Sequence, residues 1–123
     1  MDARALQGVL RAIELANAPP RDSVLRGAFL APDLDAFARV VNPLLEPPRV
    51  VEGRLEPARS DLGLAAYGLA SLVAEHGLGR LGMCAADDCT AVFADTSSQG
   101  SRRYCTRTCS TRQNVRRHRR AQG

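Results

Sequence analysis

Apolar residues recur at helical spacing over residues 3–18, where Leu6, Val9, Leu10 and Ile13, with Leu15 or Ala16, share one side until Pro19 and Pro20 stop the helix. The same period resumes after Asp33, a side chain suited to cap a helix, and runs through Leu34, Phe37, Ala38 and Val41 until Asn42-Pro43 ends or kinks it. Residues 49–57, RVVEGRLEP, change to two short strand-like runs that turn at Glu52-Gly53 between prolines. Helical spacing returns over residues 60–76: Ser60 or Asp61 caps it, Leu62, Ala65, Ala66, Leu69, Leu72 and Val73 form its apolar side, and His76-Gly77 closes it. Residues 1–80 thus predict a small helical bundle with a short β-hairpin. No repeat or low-complexity linker separates this bundle from the remainder of the chain.

From residue 81 the pattern changes character. LGMCAADDC reads as a knuckle, TAVFAD as a strand, TSSQGS with Gly100 as a turn, and RRYC as the returning partner strand. A helix is expected from about Ser110 to Arg120, with Ser110 and Gln113 as a capping box. The fold class is therefore mainly α within α+β, a bundle over residues 1–80 joined to a treble-clef-like finger over residues 81–123 that ends in a basic helix. The finger's apolar side chains are few, essentially Val92, Phe93, Tyr104 and Val115, so a bound metal is expected to supply most of its folding free energy.

That metal is read from the cysteines. Cys84 and Cys89 enclose four residues, Cys105 and Cys109 enclose three, and fifteen separate the pairs. Two close pairs at such a separation make a structural four-thiolate zinc site holding one ion, since each pair supplies two ligands from one turn and a hairpin returns the second pair to the first. Iron–sulfur ligation and a redox-switchable zinc site would use the same thiolates, and both stay open. A closed four-thiolate site keeps no position for a catalytic water. With no Gly-rich phosphate loop, no HExxH and no nucleophile beside a base, an enzyme is not expected.

Composition adds bounds. The chain's 123 residues suit one domain or a small domain with an appended module, and 45% hydrophobic with 24% charged residues argues against disorder. Asp2, Arg4, Arg11 and Glu14 interrupt the N-terminal apolar residues, and no run of about eighteen apolar residues occurs. A cytoplasmic protein without membrane partners is the expectation. All 17 basic residues are Arg, and they are unevenly placed: residues 1–83 carry a net charge of −1, residues 84–123 carry +5, and no acid follows Asp95. Arg112, Arg116, Arg119 and Arg120 share roughly one helical face, with Arg117 and His118 to its side, and one of Arg102 and Arg103 is expected to join it from the preceding strand. The guanidinium fork suits phosphate oxygens and the guanine edge, so duplex DNA is the expected partner, against the alternative of a merely solvated tail. His76 is read as a partner for a helix C-terminus, Asp87 and Asp88 as turn formers, and Asp95 as a cap for the backbone amides of the turn after it.

CxxxxC followed by FADTSSQGSRRYC, CSTR and VRRHRR resembles the CGNR zinc finger, the C-terminal module of bacterial proteins whose N-terminal part is the ABATE domain. Phe93, Asp95, Thr96, Ser97, Gly100, Ser101, Arg102, Arg103, Tyr104 and Cys105 match the family's run, with Tyr104 where Trp is common. In the name-giving tetrapeptide Cys109 and Arg112 are kept, whereas Ser110 and Thr111 stand for Gly and Asn. The resemblance over residues 1–80 rests on the order of elements. It implies a bacterial transcription regulator; with the DNA binding expected from the finger's charge, the bundle is expected to dimerise, bind a partner or sense a ligand. Two further readings remain: a protein-interaction or RNA/ribosome-binding module, and a redox sensor that releases DNA when its thiolates are oxidised.

Overall fold

Asp2, Asp33 and Ser60 each accept a hydrogen bond from the backbone N–H three residues on, at 2.7, 2.8 and 3.0 Å, and each starts a helix. The computed structural model describes residues 1–122. Its helices are α1 (Ala3–Asn17), α2 (Leu25–Phe29), α3 (Leu34–Val41), α4 (Asp61–His76) and α5 (Arg107–Gln122), and its strands are β1 (Arg49–Val51), β2 (Arg54–Glu56), β3 (Leu81–Met83) and β4 (Val92–Ala94). Two short 3₁₀ turns, Asn42–Leu44 and Leu78–Arg80, finish α3 and lead from α4 into β3. The expected α+β class, mostly helical with small antiparallel hairpins, is the one observed. No helix among the described residues is long and apolar enough to cross a membrane.

The bundle is organised by the α1–α4 crossing, and the side of α1 that makes it differs from the one expected. Ala5, Gly8, Val9, Ala12 and Ala16 are buried, whereas Leu6 and Leu10 stay 41% and 53% exposed. The reason is closeness of approach: a Cβ built on Gly68 would lie 2.4 Å from the Val9 nitrogen, and one on Gly8 would lie 2.1 Å from the Leu64 carbonyl oxygen. Only small residues fit between backbones this near, so Ala and Gly face the partner helix and the large leucines turn outward. Leu25, Phe29, Phe37, Val41, Leu69 and Leu72 complete the core. The short helix α2, which lacked a readable period, supplies two of these side chains. Arg11 ties the outer edge of the pair together, reaching Asp61 at 2.6 Å and Glu14 at 3.0 Å.

β1 and β2 form the expected hairpin, with Val50 opposite Leu55 and a two-residue turn in which Glu52 and Gly53 both take positive φ, 50° and 77°. The second hairpin departs from expectation. β4 pairs with β3, Leu81 opposite Ala94 and Met83 opposite Val92, and residues 101–104 form no strand. The N–H of Arg102 donates to the Asp95 carboxylate at 2.9 Å and the Arg103 carbonyl accepts from Ala85 at 2.8 Å, so this segment bonds to the knuckle and turn instead of to β4. The apolar side chains expected to serve the finger are also redistributed. Leu81, Val92 and Ala94 belong to the bundle's core, and the Asn17 side chain clamps Val92 by donating to its carbonyl at 2.9 Å and accepting from its N–H at 2.8 Å. Bundle and hairpin therefore share one hydrophobic interior across residue 80.

Candidate metal centre and its basic helix

The knuckle is the loop that closes the β3–β4 hairpin. Cys84 directly follows β3 and donates its N–H to Ala91 at 2.8 Å, extending the ladder by one bond, and Cys89 donates to Ala86 at 3.2 Å. Asp95 then redirects the chain: its buried carboxylate accepts from the Ser97 N–H at 2.9 Å, the Ser97 hydroxyl at 2.6 Å and the Arg102 N–H. Burial alone would raise the Asp95 carboxyl, but the donors at Ser97 and Arg102 outweigh it and hold it below its ordinary value. The expected amide cap at Asp95 is thus present. Arg80 braces the same turn with its guanidinium on the carbonyls of Asp95 and Ser97.

This turn carries Cys105 back to the knuckle. The four sulfurs all lie within 4.8 Å of one another, with Cys89 to Cys105 at 3.7 Å and Cys105 to Cys109 at 3.5 Å. Those separations are far beyond the roughly 2 Å of a disulfide. They fit a tetrahedron about one ion, for which Zn–S bonds of about 2.3 Å give sulfur–sulfur edges of about 3.8 Å. The donor set, four thiols without carboxylate or imidazole, suits zinc. Burial and then the neighbouring thiols push Cys105 up, whereas the Thr106 hydroxyl followed by Cys105 brings Cys109 down to about 7. Arg112 adds a guanidinium N–H at 3.4 Å from the Cys109 sulfur, where it offsets thiolate charge.

α5 begins at Arg107, three residues before the expected start, so Cys109 lies in its first turn. Thr106 is the cap, its hydroxyl accepting from the Cys109 N–H at 3.1 Å. The expected capping box of Ser110 and Gln113 does not form. Gln113 is buried and instead accepts from the Asp87 N–H at 3.2 Å, which locks α5 onto the knuckle.

The basic residues fall into distinct groups. Arg112 and Arg116 both reach Asp88, at 3.1 and 2.7 Å, and Arg120 reaches Asp87 at 2.7 Å. The row expected to lack any offsetting acid is therefore largely paired with the knuckle's two aspartates. Asp88 is held down at about 2, first by the hydrogen bond from Arg116 and then by the charge of Arg112. Arg102 is used internally: it lies 5.5 Å from the centre of the Phe93 ring and donates to the carbonyls of Tyr104, at 2.8 Å, and Cys105. Arg103, Arg107, Arg117 and Arg119 are exposed and have no carboxylate partner among the described residues. Arg103 and Arg107 sit together along an open cleft beside the start of α5, lined also by Tyr104, Thr106 and Ser110.

Sequence reasoning missed Asn17, Thr106 and the Asp87–Asp88 latch, and gave Gln113 a capping role in place of its bond to the knuckle. Thr106 had a signal, a hydroxyl three residues before Cys109, and the aspartates had one in lying opposite a cationic row; Asn17 and Gln113 had none. No curated protein matches the chain. Residues 80–122, which hold β3, the knuckle, β4, α5 and the four cysteines positioned to hold one zinc ion, match the family model of the CGNR zinc finger.

Proposed function

We propose that this chain is a zinc-dependent DNA-binding protein, a bacterial transcription regulator in which zinc fixes α5 for contact with duplex DNA. The observation that carries the reading is the set of four exposed arginines without carboxylate partners, Arg103, Arg107, Arg117 and Arg119, on and beside a helix that is itself anchored at the metal centre. Bound zinc would hold the thiolates of Cys84, Cys89, Cys105 and Cys109 and so fix the entry of α5, while four sulfur ligands favour a binding role over catalysis. Phe93 is buried beneath Arg102 and Tyr104 packs against the cysteines, so exposed aromatic platforms for single-stranded RNA are not provided. With about four phosphate contacts, the logarithm of the affinity should fall by about 3.6 per tenfold rise in salt. Titration of zinc-loaded and chelated protein with labelled duplex and with single-stranded RNA tests this. Binding at low salt that is insensitive to salt, or equal binding by chelated protein, would refute it.

The order of elements over residues 1–80, helices, a hairpin and a helix feeding the finger, supports the ABATE-like reading, in which this part pairs two copies of the chain. Val50 and Leu55 are 73% and 68% exposed on the β1–β2 hairpin. In the observed register the N–H and C=O of Leu55 point to the open edge of β2. Two such edges meeting antiparallel at Leu55 place Arg54 of each copy opposite Glu56 of the other, a self-complementary pair of contacts. Leu55→Lys is expected to shift a concentration-dependent dimer to monomer in sedimentation. A wild-type chain that stays monomeric at high concentration would remove this element of the proposal.

A further inference from the structure

We propose that α5 reads base edges in the major groove with Thr111, Asn114, Val115 and His118, and that the row Arg112, Arg116 and Arg120 fixes the helix instead of contacting DNA. This rests on the duplex-DNA reading above and assigns the surface within it. The buried side of α5 is marked by Cys109 and Gln113. At about 100° per residue, Thr111, Val115 and His118 lie within about 40° of the opposite direction and Asn114 within about 60°. All four are exposed, including Val115 at 42%, the one large apolar side chain on an otherwise polar helix and a member of neither buried cluster.

The chemistry of this stripe differs from that of its flanks. Asn pairs in bidentate fashion with the N6/N7 edge of adenine, and Thr and Val offer methyl groups to the thymine methyl. Arg119 and Arg117 lie on opposite sides of the stripe, about 80° and 120° from the outward direction, from which their long side chains suit the phosphates of the two groove walls, and Arg107 lies at its N-terminal end with Arg103 nearby. A helix of 16 residues is about 24 Å long and 10–12 Å across, which matches a groove about 12 Å wide. Charge complementarity supports the same occupant: the outward side and its flanks carry no acid, because both nearby aspartates are engaged on the knuckle side.

The test is selection from a random duplex pool at physiological salt with the full-length zinc-loaded chain, followed by titration of the selected site and a scrambled duplex. The expected motif contains A·T pairs. Asn114→Ala is expected to lose roughly 5- to 100-fold in affinity for the selected site while its affinity for the scrambled duplex is kept. Arg117→Ala should weaken both equally. Zinc content and circular dichroism of Asn114→Ala should equal those of the wild type, since its side chain holds no other group. Duplex binding without an enriched motif, or a motif unchanged in Asn114→Ala, would overturn the assignment while leaving salt-dependent DNA binding in place. A chain that binds no duplex at all would overturn both.

Discussion

Chelating the metal from the full chain is expected to release the knuckle, residues 99–106 and α5 from their fold, while α1–α4 and the β3–β4 pairing persist. The metal centre has almost no core of its own: Cys84, Ala86 and Cys109 are buried there, with Cys89, Tyr104 and Cys105 packed beside them. Against that, binding of a structural zinc ion is worth about 10–16 kcal/mol at neutral pH. α5 cannot stand alone, because a 16-residue helix rich in Arg and without acids repels itself and lies near the length at which isolated helices are marginal. The β3–β4 hairpin is held differently, through Leu81, Val92 and Ala94 in the bundle core and through the Asn17 clamp. The expectation from composition, that the metal supplies most of the folding free energy of residues 81–123, is narrowed accordingly to the knuckle, residues 99–106 and α5. α5 provides 16 of the 60 α-helical residues among those described, so the far-ultraviolet signal should drop by about a quarter. Hydrogen exchange at Leu69 and Leu72 should not change. An undiminished helical signal would contradict the role given to the metal, and loss of protection at Leu69 would show that it supports the bundle too.

Gly68→Val is expected to destabilise the chain by about 3 kcal/mol or more, at the upper end of ordinary over-packing penalties. Gly68 sits inside α4, where valine would by itself favour the helix over glycine, so local propensity predicts the opposite sign. The tertiary argument wins because the new side chain meets backbone: its Cβ would lie 2.4 Å from the Val9 nitrogen, 2.5 Å from the Gly8 carbonyl carbon and 2.6 Å from the Ala5 carbonyl oxygen. Nothing there can rotate away. The two helices must separate, loosening the packing around Val9, Ala12, Leu69 and Leu72. In thermal unfolding this amounts to a fall of roughly 10 °C. A midpoint equal to or above that of the wild type would mean that α1 and α4 do not cross so closely.

Local chemistry was legible wherever one residue acts on its own neighbourhood. Asp33 and Ser60 cap their helices, Glu52-Gly53 turns the first hairpin, and Asp95 gathers nearby amides. The four cysteines were equally readable, because thiolate pairs at short spacing specify a metal site with little reference to the rest of the chain. Partner choice was not legible. Val92 and Phe93 suit a strand against either RRYC or LGM, and sequence spacing cannot separate two hairpins built from the same apolar run. Asp95 decides between them by taking the Arg102 N–H that a strand would have used.

The sequence by itself determined an α+β chain with a cysteine finger and a cationic end, since periodicity, caps and ligand spacing are set by residues near one another. Tertiary structure alone decided which surface of each helix is used. Gly8 and Gly68 bring two backbones together and so turn Leu6 and Leu10 outward. Asp87 and Asp88, carried onto α5 by the knuckle, occupy the arginine row that helical spacing made most prominent and leave Thr111, Asn114, Val115 and His118 facing away from the metal centre. Both outcomes depend on distances between segments remote in sequence, and helical period sets which residues share a side but not what will be brought against it.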